Sequence, residues 1–368
     1  VYALLYPTAY WWLRFMFRPS GTPRVVFLVV FWLLALSMVV GRVLVSARGG
    51  FLSAMILQVG YTWLGFLFYF VVLGMLTGLV LQALRVLDRL GWIRLADGAL
   101  KAGFPNLGTL IVGIMIAMAI YGVFASRKVQ VITQEINLEQ EIVNAQPLRV
   151  VQLTDLHLNE TKGVKWWETI VDQTNAQNPD IIVLTGDTFD ESPDELEPFL
   201  PGIRRLNATH GVFGVTGNHE FYADTVRGLN ILEENGVTIL RNQAVKIPGV
   251  AYIIGIDDPT GVHSANLEPP DFELLKKGVA ADLPVIVMNH QPIYLEEIKS
   301  LGADLQLSGH THDGQIWPFK FLNKLVFKYQ NGLFKLDDMY LYVSAGTGFW
   351  GPPLRIGTYS EITVLNLI

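Results

Sequence analysis

A chain of 368 residues with no Cys, 51% hydrophobic and only 16% charged, excludes disulfide frameworks, thiolate nucleophiles and iron–sulfur ligation, so any metal must be held by His, Asp, Glu or Asn. The net charge of −6 conceals a split: residues 1–147 hold eleven Lys and Arg against five Asp and Glu, and residues 148–368 hold sixteen against twenty-eight. A C-terminal part this acidic argues against nucleic acid as a partner, which asks for a basic surface, and favours cations.

The first third is apolar. Val25 to Gly41, Phe51 to Leu84 and Ala102 to Ser126 contain no charged residue, and a bilayer span needs about 20 predominantly apolar residues. The runs lack the polar stripe of a surface helix and predict spans near 24–45, 62–84 and 104–125. Residues 51–60 are expected to be a short interfacial piece, because 34 uncharged residues exceed one span. Residues 1–17 read as the remainder of another, giving three or four in a transmembrane region 1–127. Gly74 and Gly78, four apart, suit close helix packing. With four spans, the inner loops would hold Arg14, Arg18, Arg24, Arg85, Arg89, Arg94 and Lys101, against Arg42, Arg48, Arg127 and Lys128 outside. That bias predicts an inner-membrane protein with its C-terminal domain extracytoplasmic. The spans carry no Asp, Glu or His in their cores, which speaks against a transporter. Residues 128–147, with Glu135, Glu139 and Glu141, read as a polar connector ending at Pro147.

From Leu148 short β-branched runs alternate with helical stretches: RVVQLTD, IIVLTGD, GVFGVTGN, AYIIGID, VIVMNH and LQLSGH. That alternation predicts an α/β domain over 148–368. Residues able to bind metal follow nearly every run, where open α/β sheets place their ligand sites. They are Asp155 and His157 (TDLH), Asp187 (TGD), Asn218 and His219 (GNHE), His290 (MNHQP), and His310 and His312 (SGHTH). Five of the chain's seven His fall in this set.

The ordered series D-x-H, G-D, G-N-H-E, H, G-H-x-H resembles the calcineurin-like metallophosphoesterases, and GQIWP, GTGFWGPP and the N-terminal spans look most like their membrane-anchored, exported bacterial branch. The resemblance implies a four-layer α/β/β/α sandwich of two mixed sheets. It also implies that Asp155, His157 and His312 hold one metal, Asn218, His290 and His310 a second, with Asp187 between them and His219 the general acid. Glu220 stands where many members have Asp and would keep a carboxylate beside His219. Asp313, in HTHDGQ where HTHGGQ is common in this branch, would add charge beside the site.

The chemistry asks for these residue types in its own right. Carboxylate, amide oxygen and imidazole together suit Mn, Fe or Zn better than Ca or Mg, with Mn(II) the first choice. Two such ions clamp a phosphoryl group and lower the pKa of water from 15.7 to about 7. Imidazole suits protonation of the leaving oxygen because its pKa lies near neutrality. Gly186, Gly217 and Gly309 are expected to let the backbone turn sharply at the ligands. His210 and His263 read as loop residues. Asp257 and Asp258 read equally as turn caps and as pocket lining, and Gly346, Thr347 and Gly348 form a weak phosphate-turn signal. Residues 314–336 lack Asp and Glu and carry Lys320, Lys324, Lys328 and Lys335 among aromatics. The first three, four apart, would share one helix face, either in water or against anionic headgroups. Asp313, Lys320, Lys324 and Trp350 are the expected substrate contacts. The expected activity is hydrolysis of a phosphodiester or pyrophosphate bond in a lipid-linked or cell-envelope substrate. The alternatives are a phosphomonoesterase and a metal-binding scaffold without catalysis, the latter disfavoured by an intact His219.

Overall fold

The computed structural model describes residues 2–17, 21–48, 50–94, 99–138, 147–190, 192–280 and 282–368. They form two compact units, one of residues 1–124 with 351–354 and one of 125–350 with 355–368.

The first unit is helical: α1 (Tyr2–Phe17), α2 (Thr22–Arg48), α3 (Phe51–Arg89) and most of α4 (Ala99–Arg127). Thr22–Val45, Phe51–Arg89 and Thr109–Arg127 are long and apolar enough to cross a bilayer. Only 17–33% of their most apolar windows is buried, so most of their apolar side chains face outward, an arrangement that suits hydrocarbon and not water. Glycine sets the packing. A Cβ on Gly41 would lie 2.5 Å from the backbone of Leu57, and one on Gly60 2.3 Å from that of Met38, so α2 and α3 cross backbone to backbone there. Gly74 and Gly78 seat the indole of Trp12 on α1, with Cβ positions 3.3 and 2.9 Å from its ring. Residues 51–60 are not a separate interfacial piece: they are the first turns of the 39-residue α3. At 1.5 Å per residue that helix is about 58 Å long, far more than a hydrocarbon core of about 30 Å requires. Arg18 lies outside the described residues.

The second unit holds two six-stranded mixed sheets. The first runs β1 (Val129–Ile136), β12 (Ser360–Leu367), β2 (Leu148–Leu153), β3 (Ile181–Thr185), β4 (Val212–Val215), β5 (Val237–Ile239). The second runs β10 (Gly332–Leu336), β11 (Met339–Val343), β9 (Leu305–Ser308), β8 (Val285–Asn289), β7 (Ala251–Ile256), β6 (Gln243–Ile247). β2, β3, β4 and β5 are parallel neighbours, as are β7, β8, β9 and β11. The six strands expected from sequence are β2, β3, β4, β7, β8 and β9. Residues 129–136, expected within the connector, instead pair with β12 through eight parallel residue pairs. Their burial alternates from Ile132 to Ile136, as a sheet-edge strand's should, although their residue types do not. Residues 139–146 of that connector lie outside the described residues.

Three hydrophobic clusters define four layers. One fills the space between the sheets, with Val150, Ile181, Val183, Phe213 and Val215 against Ile253, Ile286, Met288, Leu305 and Leu307. A second packs helices Val164–Asn175 and Thr225–Glu234 on the outer face of the first sheet through Trp167, Ile170, Leu229 and Leu232. The third does the same for the second sheet with Leu275 and Ile298, from helices Phe272–Lys277 and Leu295–Ser300. Both sheets therefore present the C-terminal ends of their parallel strands at one edge of a shared core. Gln152 reaches across it there, donating to Thr185 Oγ1 at 2.7 Å and to the Ser308 carbonyl at 3.0 Å.

Candidate metal centre

Every ligand expected from sequence sits just past a strand: Asp155 and His157 after β2, Asp187 after β3, Asn218 after β4, His290 after β8, and His310 and His312 after β9. Three groups of side chains bring donor atoms within 4.8 Å of one another: Asp155, His157 and His312; His157, Asp187 and His219; and Asp187, His290 and His310. Asp187 Oδ2 lies 3.7 Å from His157 Nε2 and 3.3 Å from His290 Nε2, so one carboxylate oxygen faces both halves of the cluster. Asn218 Oδ1 lies 2.9 Å from His310 Nδ1.

The loops reach this arrangement at a conformational cost. Asp155, His157, Asp187, His310 and His312 have φ between 47° and 68°, a left-handed region that costs non-glycine residues of order 1–3 kcal/mol each. Such strain collected at one point marks a site held for its chemistry. Of the three glycines expected to make turns, only Gly186 has a positive φ. Gly217 and Gly309 are needed for space: a Cβ on either would lie 2.2 Å from a carboxylate oxygen, of Asp187 and Asp155 respectively. Glu220 is not free beside His219. It accepts from the backbone N–H groups of Asp187, Thr188 and Gly217 at 2.7–2.9 Å, tying the β3 and β4 loops together, and burial with Asp187 nearby pushes it up to about 7.

Hydrogen bonding determines which imidazole nitrogens can accept a cation. His290 Nδ1 is 2.9 Å from the Thr185 carbonyl and must donate to it, which leaves the Nε2 lone pair of the neutral ring facing the Asp187 carboxylate. Nε2 has no hydrogen-bond partner, and two acceptors at 3.3 Å need a proton or a cation between them. Burial opposes a charge on His290, yet Asp187 outweighs it and holds the imidazole well above its usual range. His290 in turn pulls Asp187 well below the carboxylate range against the effect of burial. His157 and His312 present Nε2 to each other at 3.2 Å. Burial, then His157 and Arg355, push His312 well below its usual range, and burial and His290 lower His310. Imidazoles, carboxylates and an amide converging on common points are a donor set that fits divalent metal ions.

Sequence reasoning missed Asp190. Its Oδ1 lies 2.7 Å from His157 Nδ1 and 3.0 Å from His219 Nδ1, and Asn159 donates to its other oxygen. The hydrogen bond with Asp190 fixes the tautomer of His157, and the same carboxylate lies in ion-pairing contact with His219 Nδ1, which favours a proton there. Burial opposes a charge on His219, but the Asp190 hydrogen bond and the charges of Asp187 and Asp190 hold its pKa up at about 8. The signal was present as a second Asp three residues after Asp187. Arg355, fully buried, had no local signal; it donates to the carbonyls of Ala345, Gly346 and Gly348 at 2.7–3.2 Å and faces His312 Nδ1 at 3.4 Å. The 346–348 turn is therefore filled by a side chain of the protein.

The expected substrate contacts fare unevenly. Trp350 is exposed, its ring 6.1 Å from that of His219, with Tyr222 at 5.4 Å from the same imidazole. Asp313 is buried and paired with Lys320 at 2.6 Å, so its charge is already neutralised. Lys324 is exposed at the end of helix Phe319–Asn323. Lys320, Lys324 and Lys328 do not share a helix face, since that helix is only five residues long and Lys328 lies beyond it. The turn reading holds for Asp258, which accepts from the Thr260 N–H at 2.9 Å and from Gln291, whereas the Asp257 carboxylate pairs with Arg241 at 2.9 Å and accepts from Thr216 Oγ1.

The calcineurin-like phosphoesterase family profile matches residues 148–314. A metallophosphoesterase of Campylobacter jejuni is 35% identical over 257 residues, 69% of this chain and 68% of that protein. A transmembrane protein with metallophosphoesterase domain from Danio rerio is 31% identical over 300 residues, 76% of this chain and 68% of that one. A Helicobacter pylori metallophosphoesterase is 38% identical over 223 residues, which span 60% of each chain. This chain belongs to the calcineurin-like metallophosphoesterases.

Proposed function

From that membership and the donor geometry we infer a membrane-anchored, two-metal phosphoesterase. Its anchor is residues 1–127, and its hydrolase domain runs to residue 368 and begins at β1 instead of residue 148. The observation that carries the reading is Asp187 Oδ2, set 3.7 Å from His157 Nε2 and 3.3 Å from His290 Nε2, between two groups of buried donors. Asp155, His157 and His312 would hold one ion, Asn218, His290 and His310 the other, and Asp187 both. Mn(II) is favoured by the mix of carboxylate, amide and imidazole. When bound, such a pair supplies Lewis acidity to phosphoryl oxygens and to water.

The protein's own part is positional. Asp190, 3.0 Å from Nδ1 of His219, would hold a proton on that nitrogen and leave Nε2 to carry one to the departing oxygen. Glu220 holds the β3 and β4 loops in register so that Asp187 and Asn218 stay aimed. Trp350 and Tyr222 flank His219 and give a leaving group an apolar surface. The bond cleaved is a phosphodiester or pyrophosphate in a lipid-linked or cell-envelope substrate, a reading supported by the apolar helices that keep the domain at a bilayer. The excess of Lys and Arg in the inner loops supports an inner-membrane protein with its hydrolase domain outside the cytoplasm.

The test is hydrolysis by the full chain, with and without added Mn(II), of a p-nitrophenyl phosphodiester and the corresponding monoester. Faster Mn-dependent turnover of the diester is expected; preference for the monoester would overturn the diesterase reading, and no turnover of either would favour a silent scaffold. For topology, Leu274→Cys in this Cys-free chain should react with an impermeant maleimide in spheroplasts. Labelling only after lysis would place the domain in the cytoplasm.

A further inference from the structure

The segment from Trp317 to Lys328 is built inside out. Two of its polar groups turn inward: Lys320 pairs with Asp313, and Asn323 donates to the Thr311 carbonyl at 3.0 Å. Its apolar side chains turn outward, with Phe321 57%, Leu322 51%, Leu325 82% and Val326 75% exposed. Backbone bonds from Leu325 to Leu322 and from Val326 and Phe327 to Asn323, 2.7–3.0 Å long, fix the turn that presents them. A loop fixed by its own polar interior that displays adjacent large hydrophobics is a contact surface seeking an apolar partner.

Its position and charge indicate which partner. The exposed Lys324 and Lys328 flank the apolar tip, and no Asp or Glu occurs between residues 314 and 336, in a part of the chain that elsewhere carries a large acidic excess. Lysines around protruding Leu, Val and Phe are the composition of an element that rests at the headgroup level of an anionic membrane, its apolar face about 5–10 Å deep. A bilayer is always at hand, since the same chain carries three helices fit to span one. The loop also leads back to the chemistry: the Phe327 ring lies 5.3 Å from the ring of His310 at 77°.

We propose that residues 317–328 form a second membrane contact, seating the tip Leu325–Val326 in the outer acyl region of an anionic bilayer beside the metal centre. The proposal goes beyond the hydrolase reading and does not depend on it, because its test reads membrane contact and no activity. The chain contains no Cys, so Leu325→Cys can carry a nitroxide in the full-length protein, reconstituted into phosphatidylglycerol–phosphatidylcholine vesicles. Leu274→Cys, on the exposed face of helix Phe272–Lys277, serves as the reference. Relaxation by oxygen should dominate at Leu325 and relaxation by a water-soluble nickel chelate at Leu274, the oxygen-to-nickel ratio differing several-fold, and Val326→Cys should repeat the Leu325 result. Equal nickel access at all three sites would overturn the proposal. So would shielding of Leu325 and Val326 from both agents, which would mean that a second copy or another protein covers the loop.

Discussion

The two sheets of the hydrolase unit arrive at the metal centre with different chemistry. The first brings every expected oxygen ligand, Asp155, Asp187 and Asn218, together with His157 and His219; the second brings imidazoles alone, His290, His310 and His312. Their support differs as well. The two first-sheet imidazoles lean on the carboxylate Asp190, whereas His290 leans on the Thr185 carbonyl and His312 faces Arg355. Each proposed ion draws on both sheets, so neither sheet alone can make a site, and metal content becomes a readout of how well the inter-sheet core holds the sheets together. Proton chemistry is proposed for His219, which lies against the Asp190 carboxylate and whose side chain, unlike those of His157 and His290, keeps some access to solvent.

The largest effect should come from the one residue that serves both halves. Asp187→Asn removes the charge between His157 and His290, and activity on every ester should fall by orders of magnitude with loss of both ions. Two bound metals and near-normal turnover in the purified variant would dismantle the shared-ligand assignment. His219→Ala comes next and should separate the first sheet's acid from its ligands. Both ions should stay, an alkyl phosphodiester should slow by about 10²–10⁴-fold, and a p-nitrophenyl ester, whose leaving oxygen needs little protonation, should slow far less. Equal slowing with a lost ion would turn His219 into a ligand, as its place in the group with His157 and Asp187 also allows. Asp190→Asn should be milder, about 10–100-fold in activity or metal affinity. Its losses should fall on the ion held by His157 and on alkyl esters, sparing the ion held by His290 and His310; an even loss of both ions would erase the distinction between the sheets.

What could be read from sequence was whatever is written locally. A β-branched run followed at once by Asp, Asn or His is a short string, and it located six parallel strands and all the expected ligands at their ends. Features made by distant pairing left weaker traces. β1 and β12 are adjacent in the first sheet although about 230 residues apart, and polar positions such as Gln134 and Glu361 blur their alternation. Arg355 acts on a turn through backbone carbonyls, which have no sequence. Asp190 looked like any loop Asp until folding placed two imidazoles on it. The lysine spacing in 320–328 suggested a helix face, but Asn323 caps the Thr311 carbonyl instead and the helix stops after five residues. Gly60 sits inside α3 without breaking it, because Met38 of α2 lies against the space a side chain would take.

The smallest effect tests the comparison at its weakest point. Asp313 is the carboxylate that follows His312 directly in the second sheet's own loop, and if it bound a metal or substrate the division of donors between the sheets would fail. The geometry gives it other work, since it is buried and its charge is met by Lys320 at 2.6 Å. Its φ of 49° is one that glycine adopts freely. Asp313→Gly should relieve strain of order 1–3 kcal/mol. Against this stands the loss of an ion pair whose lysine, 37% exposed in its side chain, can return to water, a loss of about 0–1 kcal/mol for such a pair. Greater chain freedom in the unfolded state takes back about 0.4–1 kcal/mol more. The terms nearly cancel, with a small gain expected, and about 1 kcal/mol corresponds to about 2–4 °C for a domain of this size. Thermal unfolding of the full chain should therefore start no lower than in the parent, while metal content and turnover of both esters stay at the parent level. A lost ion, or a KM raised for the diester alone, would give Asp313 the role beside the site that its sequence position suggests and would end the division of oxygen and nitrogen donors between the two sheets.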